Sequence, residues 1–590
     1  MFTKFHVSLF IVALAAPCWT AVAQNGPSSD ERFEKLLDEH WRWTLKNNPL
    51  LSTSLGNRNS AGRLPDASIS HLHKLAEETS EFVDALDALS LDQLNPANRM
   101  NHEILRRLLV DDTQEYRFKS YLIPITNRSG FHMEFAELHK SLPFNTTQDY
   151  ENYLSQLDQF GQYTDQHIEV LKLGMADKWV LPSVVLQGYE DTIRPHVVAD
   201  PRKSPTFAPF LKWPDDVPLT VRKTLSERAA KTIQQTVVPA YSRFLEFMVD
   251  QYIPASRSTI GASALPGGRS FYRYRVTHYT TLDIEPSEVH ELGIREVARI
   301  RSDMEAILPK VQFKGSFPEF LTFLRTDPQF YPSNATEYLR ETAYILKRMD
   351  GELPKLFGTL PRTPYGLKTI PDYIAPKTTT AYYQPPPANG QLAGQYFLNT
   401  YNLKSRPLYE LEALSLHEAV PGHHLQIALQ QELEGLAEFR KHRRFTVFVE
   451  GWALYSERLG LEVGFYTDPY SDFGRLSYEM WRACRLVVDT GIHYFGWTRT
   501  QAIEYMQQNT ALSRHNIVAE VDRYISWPGQ ALAYKMGELK IRQLRTEAEE
   551  ALGTDFDIRQ FHDAVLRQGS VPIPILEENI RHYIENKKAE

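Results

Sequence analysis

Apolar residues recur at helical spacing along most of the chain. Between residues 30 and 250 they return every three or four positions, with proline-rich breaks, as in Phe33-Leu36-Leu37 and Leu105-Leu108-Leu109. This period puts the apolar side chains on one face of a helix. The same pattern resumes after Pro407 and continues, with breaks, to the end of the chain. We therefore predict a mainly α fold.

Two segments depart from the helical period. Residues 270–281 alternate aromatic and polar side chains, and residues 370–402 hold short β-like pieces, among them 395–399. Alternation with a period of two is typical of a strand. A new helix is predicted to begin at Glu285-Pro286-Ser287, because proline is favoured in the first helical turn. The predicted fold is a large helical body that encloses a cleft and has a small β element.

The composition is that of a folded globular protein. The 590 residues include 42% hydrophobic and 12% aromatic side chains, with only 36 Pro and 29 Gly, which excludes disordered and collagen-like classes. The small-residue stretch 256–268 is the best candidate linker. We predict a single catalytic domain over residues 24–590, with two lobes, about 30–255 and 269–590, as an alternative.

The first 23 residues have the features of a secretory signal peptide. Lys4 precedes an apolar stretch over residues 7–16, and Ala21-Val22-Ala23 forms a cleavage site. The stretch is shorter than the roughly 20 residues that span a bilayer. Cys18 follows Pro17 and so does not lie in a lipid-attachment context. We expect an exported protein, periplasmic or secreted, with no membrane span.

The formal net charge of −8 argues against nucleic acid or an anionic membrane as the partner. The densest basic cluster, residues 440–444, is interpreted as a solvated helix end or loop. A peptide or small-protein substrate remains compatible with this charge.

One short histidine-rich segment holds the clearest chemical signal. Residues 417–423 have the sequence His-Glu-Ala-Val-Pro-Gly-His. In the usual zinc motif His-Glu-x-x-His, two histidines one turn apart face one ion. Here Pro421 occupies the second position, and on a straight helix His423 would lie about 240° round from His417. A break at Pro421 and Gly422 would bring the two histidines together, since proline disrupts a helix and glycine tolerates unusual backbone angles.

A catalytic zinc site takes three protein ligands. Glu450 lies in an apolar helical segment, where an unpaired carboxylate would be costly to bury, so we predict that Glu450 joins His417 and His423. His424 would lie about 10 Å along the helix from His417 and is the weaker candidate. Glu457 is expected to support a ligand or form a salt bridge, and replacement of a chosen ligand by His424 or Glu457 stays open.

Two other His-Glu pairs occur, at His102-Glu103 and His290-Glu291. Neither has a histidine four positions after the first, so neither can form the two-histidine motif. We expect both pairs on ordinary helix surface.

Three elements together resemble a known family. They are His-Glu-x-x-Pro-Gly-His at 417–423, Glu-Gly-Trp-Ala at 450–453, and Pro-Gly-Gln-Ala with a following tyrosine and glycine at 528–537. In this order they resemble the mainly bacterial family labelled domain of unknown function 885. The resemblance implies a mainly helical fold similar to zinc metallopeptidases, in which a His-Glu helix and a later Glu bind the metal. It also favours His423 over His424.

With Zn²⁺ on the three predicted ligands, Glu418 is the candidate general base that takes a proton from the metal-bound water. The developing oxyanion needs a donor. Tyr534 and His493 are the candidates, the latter because Asp489, four positions earlier, could orient its ring. The same sequence pattern would result if Tyr534 were a core tyrosine and if Asp489 and His493 were a pair on a helix surface.

Three functions are compatible with such a site. The first, which we predict, is an exported zinc peptidase, with another divalent ion as an alternative metal. Its strand at 395–399 could pair with an extended peptide, although an edge strand of the core would look the same. The second is a metal-dependent hydrolase of a non-peptide amide or ester. The third is a non-catalytic binding or scaffold protein with a peptidase-like fold. Cleavage mode and oligomeric state are left open.

Overall fold

The computed structural model describes residues 28–372, 375–386 and 392–589. The predicted signal peptide and Cys18 lie outside the described residues, as do parts of the irregular segment 370–402.

The first part of the chain is helical, as predicted. Side chains with good capping geometry begin several of its helices: Ser28, Ser68, Asn95 and Thr146 each accept a hydrogen bond from a backbone N–H of the first turn. The helices are α1 Ser29–Asn47, α2 Pro49–Ser54, α3 Ile69–Asp87, α4 Pro96–Arg117, α5 Phe131–Glu137, α6 Thr147–Ala176, α7 Leu219–Thr232 and α8 Val238–Phe247.

The predicted strand at 270–281 is wrong, because a helix, α9 Gly268–Thr280, covers this segment. Tyr272, Val276 and Tyr279 are buried and recur at three- and four-residue intervals, so the aromatic side chains follow a helical face. Packing of this face outweighs the β propensity of its residues. The next helix begins at the predicted proline, and the helices that follow are α10 Pro286–Glu305, α11 Phe317–Thr326 and α12 Ala335–Leu356.

A three-stranded sheet precedes the histidine-rich segment, which confirms the small β element. Its strands are β1 Tyr365–Thr369, β2 Ala381–Gln384 and β3 Gly394–Leu398, in the order β1-β3-β2. β3 is parallel to β1, with Gly394 opposite Tyr365, and antiparallel to β2, with Leu398 opposite Ala381. The strand predicted at 395–399 exists, but it is the central one. The expectation that it pairs with a peptide or forms an edge is wrong, because both of its sides are occupied.

The rest of the described chain is again helical. Its helices are α13 Leu411–Glu418, α14 His423–Glu432, α15 Glu438–His442, α16 Thr446–Leu459, α17 Pro469–His493, α18 Arg499–Asn509, α19 Arg514–Ser526, α20 Ala533–Leu552, α21 Ile558–Leu566 and α22 Ile573–Ala589. α13, α16 and α17 are buried on nearly every side, as expected of helices in the centre of a large core.

Buried apolar residues from Phe33 to Tyr583 form one contiguous cluster. The candidate linker 256–268 is packed into it: Ala262 is fully buried, and its N–H donates to His493 at 2.9 Å. The domain division therefore stays a prediction. Among the described residues, no helix combines the length and apolarity that a membrane span requires.

Three smaller expectations about the surface can be compared with the structure. His102 is buried and hydrogen-bonded to the Leu86 carbonyl oxygen, so its assignment to helix surface is wrong. His290 is half-buried and hydrogen-bonded to the Thr490 hydroxyl. In the basic cluster 440–444, Arg440 is buried and donates to the Gln568 carbonyl, whereas Arg443 is a half-exposed partner of Asp112.

Candidate metal centre

The helix breaks where the sequence predicts it. α13 ends at Glu418, and α14 begins at His423 after a cis Val420–Pro421 peptide bond. Gly422 donates its N–H to the Leu416 carbonyl oxygen at 2.9 Å. A Cβ atom at Gly422 would lie 1.9 Å from the His417 carbonyl oxygen, so only glycine fits this position.

α16 supports the break from the other side. The buried Trp452 donates its indole N–H to the Pro421 carbonyl oxygen at 2.9 Å. That oxygen lies in the break between two helices, outside the regular hydrogen-bond pattern of either helix. The tryptophan of the Glu-Gly-Trp-Ala element therefore holds the turn that separates His417 from His423.

The break brings the three predicted ligands together. The Nε2 atoms of His417 and His423 lie 3.6 and 3.5 Å from Glu450 Oε2, and the ligand atoms of all three residues lie within 4.8 Å of one another. These separations are too long for good hydrogen bonds, and Glu450 Oε2 is buried without a hydrogen-bond partner among the described residues. Two ligands roughly 2.0–2.2 Å from one tetrahedral ion are roughly 3.3–3.6 Å apart, so the two His–Glu separations match those around a zinc-sized cation.

Glu457 fixes the orientation of the first histidine. Its Oε1 accepts from His417 Nδ1 at 2.8 Å and lies 3.2 Å from Arg482 Nη2 in a salt bridge. Because Nδ1 donates its proton to Glu457, Nε2 is the ring nitrogen that faces Glu450 and that would bind an ion. Glu457 thus contacts a candidate ligand and also forms a salt bridge, which are the two contacts predicted for it.

The electrostatics of the centre favour a cation. Burial by itself lowers the pKa of His417, but Glu450 and Glu457 outweigh it and raise the pKa to about 9. Burial by itself raises the pKa of Glu450, but His423 and His417 hold that pKa well below its usual value. Two carboxylates thus face two imidazoles in a buried place, which is a donor set that a divalent ion would neutralise.

His424 is used elsewhere. Its Nδ1 is 2.8 Å from the Tyr383 hydroxyl of β2, and its Nε2 donates to the Thr363 carbonyl oxygen at 3.1 Å, just before β1. Burial lowers the pKa of His424 to about 4. Both ring nitrogens therefore tie α14 to the sheet, and the prediction that His424 is the weaker ligand stays a prediction.

Glu418, the predicted base, is the last residue of α13 and follows His417 directly. Glu418 is 9% exposed. Burial raises the pKa of the Tyr396 hydroxyl on β3, and the neighbouring Tyr338 and Glu418 raise this pKa further. Glu418 therefore lies at the end of α13, close to β3.

Tyr534 approaches the centre through a close crossing of α16 and α20. A Cβ atom at Gly451 would lie 2.5 Å from the Gly537 Cα, and one at Gly537 would lie 2.0 Å from the Val447 carbonyl oxygen. Glu450 precedes Gly451, and Tyr534 lies one turn before Gly537. Burial raises the pKa of the Tyr534 hydroxyl, and the nearby Glu450 carboxylate raises it further.

His493 is not brought to the centre as a free donor. Its Nδ1 accepts from the Ala262 N–H, and its Nε2 donates to the Tyr524 carbonyl oxygen, each at 2.9 Å. Asp489 accepts from the Tyr272 hydroxyl at 2.6 Å instead, so the expected orientation of His493 by Asp489 is wrong. Burial lowers the pKa of His493 to about 3, as for a neutral core histidine.

Sequence reasoning missed the contribution of α17, which supplies Arg482 to Glu457. A signal for it exists. Charged and polar residues recur on one face of an otherwise apolar helix and are all buried: Arg475, Glu479, Arg482, Arg485, Asp489 and His493. Buried charges at helical spacing are expensive unless they are paired, which indicates partners on neighbouring helices.

A family model described as "Bacterial protein of unknown function (DUF885)" matches residues 49–580. Among solved structures, a "putative lipoprotein" from Colwellia psychrerythraea is 29% identical with a TM-score of 0.89, over 95% of this chain and 100% of that chain. A "putative lipoprotein of unknown function" from Shewanella oneidensis is 17% identical with a TM-score of 0.64, over 94% and 99%, which shows a shared fold. No protein of curated function gives a significant match.

Proposed function

Because the chain belongs to DUF885, a bacterial family of unknown function, we propose its function from the chemistry of the His417, His423 and Glu450 group. We infer an exported, zinc-dependent peptidase. The observation that supports it best is the convergence of two imidazole nitrogens on one buried carboxylate oxygen, at 3.5 and 3.6 Å. Two relatives described as lipoproteins and the signal-peptide pattern support export.

The donor set favours zinc, since two imidazoles and one carboxylate are ligands that zinc accepts in hydrolytic enzymes. When bound, the ion would polarise a substrate carbonyl and lower the pKa of a water molecule. His417 and His423 would hold it through Nε2, and Glu450 through its unpartnered oxygen. Glu457 and Trp452 would hold the ligands in place through His417 and the Pro421 turn.

Glu418 would accept a proton from the attacking water and deliver it to the leaving nitrogen. Its place at the end of α13, next to His417, supports this role. Tyr534 would donate its hydroxyl hydrogen to the developing oxyanion, since the Gly451–Gly537 crossing brings it towards Glu450. His493 has no role in this proposal, because both of its nitrogens are bonded to the backbone.

A peptide would lie along β2 in this proposal. β2 is an edge of the sheet, contacts α13 and holds His424 through Tyr383. An extended chain added beside it would be held by backbone hydrogen bonds, which suit a peptide better than an ester.

Metal content and one substitution test the proposal. The mature chain, purified without added metal, should hold or take up about one zinc per chain. Glu418→Gln should keep the zinc and lose hydrolysis of a mixed peptide panel. A fully active Glu418→Gln variant would overturn the assigned base, and a chain that takes up no divalent metal would overturn the enzyme proposal in favour of a binding role.

Adjacent histidines provide a matched pair of variants for the ligand set. His423→Gln should lose zinc, whereas His424→Gln should keep it, because His424 is bonded to Tyr383 and Thr363. Equal zinc loss in the two variants would contradict the proposed ligands. A panel that includes non-peptide amides and esters separates a peptidase from another hydrolase.

A further inference from the structure

Three arginines converge on one buried glutamate beside the candidate centre. Glu520 is 1% exposed and lies 3.1 Å from Arg485, 3.0 Å from Arg523 and 3.4 Å from Arg128. We call these four residues the arginine cluster. Arginine stays protonated in proteins, so three positive charges face one negative charge.

Two other acids near Arg523, Asp522 and Asp489, do not balance this excess fully. Asp522, next to Arg523 in sequence, forms a two-pronged pair with Arg499 at 2.7 and 2.9 Å. Asp489 lies near Arg523, but burial raises its pKa to about 7, which leaves it partly protonated at neutral pH. Uncompensated cations are costly to bury, so the cluster is suited to receive an anion.

The cluster also has an unused donor. The Arg485 side chain is 4% exposed, and its Nη1 group has no hydrogen-bond partner among the described residues. The Nε of Arg485 donates to the Tyr524 hydroxyl at 2.9 Å, and its Nη2 donates to the Glu520 carboxylate. Buried donors are nearly always satisfied, so a free guanidinium N–H points to a missing acceptor.

The cluster adjoins the proposed reaction centre. The Arg485 guanidinium lies 4.3 Å from the centroid of the Tyr534 ring. Gln530 accepts from Arg523 at 2.6 Å and lies one turn before Tyr534. On α17, Arg485 follows one turn after Arg482, which contacts the Glu457 that orients His417. An anion at the cluster would therefore lie one side chain away from the candidate oxyanion donor.

We propose that Arg485 and Arg523 bind the C-terminal carboxylate of a peptide substrate, so that the protein cleaves near the C-terminus of short peptides. This inference rests on the proposed peptidase function. Guanidinium groups recognise carboxylates through paired, charge-assisted hydrogen bonds. Arg523 is the more accessible of the two, with 11% of its side chain exposed, and Tyr534 beside it is also partly exposed.

Three matched peptides and three variants test the proposal. One peptide has a free C-terminal carboxylate, the second is its C-terminal amide, and the third is an amide with an acidic side chain. The free acid should have a kcat/KM about 10- to 100-fold above both amides. Arg523→Gln should remove that preference mainly through KM, Arg523→Lys should restore part of it, and the control Arg499→Gln should keep it.

Several results would overturn the carboxylate site. They are equal hydrolysis of acid and amide, a preference for the acidic side chain alone, or an equal loss for all peptides in folded Arg523→Gln protein. If no peptide is cleaved, the peptidase proposal fails. The carboxylate site is then tested on its own, by calorimetric measurement of the binding of the free acid and of its amide to zinc-treated protein. Selective binding of the acid that Arg523→Gln abolishes supports it, and equal or absent binding of both refutes it.

Discussion

His417 presents one ring nitrogen to Glu457 at 2.8 Å and the other towards Glu450 at 3.6 Å. The first contact sets the tautomer and the angle of the ring that the second contact needs. Glu457→Gln keeps the shape but removes the charge, so zinc affinity should fall about 10- to 100-fold while the ligands stay in place. Competition with a chelator measures this fall.

Glu462→Gln is the matched control for that experiment. Glu462 follows α16 and pairs with Arg545 at 2.8 Å, on a side chain that is 35% exposed. Its substitution should leave zinc affinity unchanged. Equal affinities in the two variants would show that Glu457 does not support the metal.

Gly422→Ala should disrupt the turn between α13 and α14. The new Cβ would meet the His417 carbonyl oxygen at 1.9 Å, and this neighbour is backbone that cannot rotate away. We expect a loss of about 3 kcal/mol or more in unfolding free energy, together with loss of zinc binding. Urea unfolding and metal titration measure the two effects.

Gly351→Ala provides the contrast, since a Cβ there meets nothing within 4 Å and the residue is exposed inside α12. It should stabilise the protein by about 0.5–1 kcal/mol, because alanine suits a helix better than glycine. A Gly422→Ala variant as stable as this control would contradict the close approach at the turn.

Trp452→Phe should weaken the same turn more mildly. It removes the indole N–H that Pro421 accepts at 2.9 Å and leaves a buried carbonyl unsatisfied, at a cost of about 1–3 kcal/mol. Zinc affinity should fall as well. Trp213→Phe breaks a similar 2.9 Å bond to Phe210, in a part of the chain without candidate ligands, and should leave zinc affinity unchanged. Equal zinc affinities in the two variants would refute the role given to Trp452.

Asp489 predicts a pH dependence of stability. Burial raises its pKa to about 7, against the lowering effects of the Tyr272 hydroxyl, the Gly529 N–H, Arg523 and Arg275. The folded state thus binds this proton more tightly than the unfolded state, whose pKa is about 3.9. The contribution to stability is fully present below pH about 4 and is lost as the pH rises towards 7.

Asp489→Asn lacks this titration and can still accept from Tyr272 and Gly529. Relative to the unaltered protein, the variant should therefore gain unfolding free energy between pH about 4 and 7. Denaturant unfolding at several pH values measures the difference. Parallel stability curves for the two proteins would be inconsistent with a raised pKa at Asp489.

Local chemistry explains which features the sequence reveals. Pro421 and Gly422 act on their own backbone, so the break between His417 and His423 can be predicted without knowledge of the fold. The cost of an unpaired buried acid likewise identifies Glu450 within an apolar segment. Proline at the first turn marks the start of α10 for a similar local reason.

Tertiary contacts explain what the sequence leaves hidden. α9 has the alternating aromatics of a strand and becomes a helix because its Tyr272 face packs into the core. His493 looks like a surface histidine beside Asp489, but residues distant in sequence, Ala262 and Tyr524, take both of its nitrogens. Neither partner can be inferred from spacing along one helix.

The direct backbone contact between Gly451 and Gly537 makes the spacing of the centre a property of main chain rather than of side chains. Glu450 lies on α16 and Tyr534 on α20, and the two helices pack closely against each other along an extended contact. Any side chain added at position 451 or 537 would therefore force the two helices apart and widen the gap between the candidate ligand and the candidate oxyanion donor.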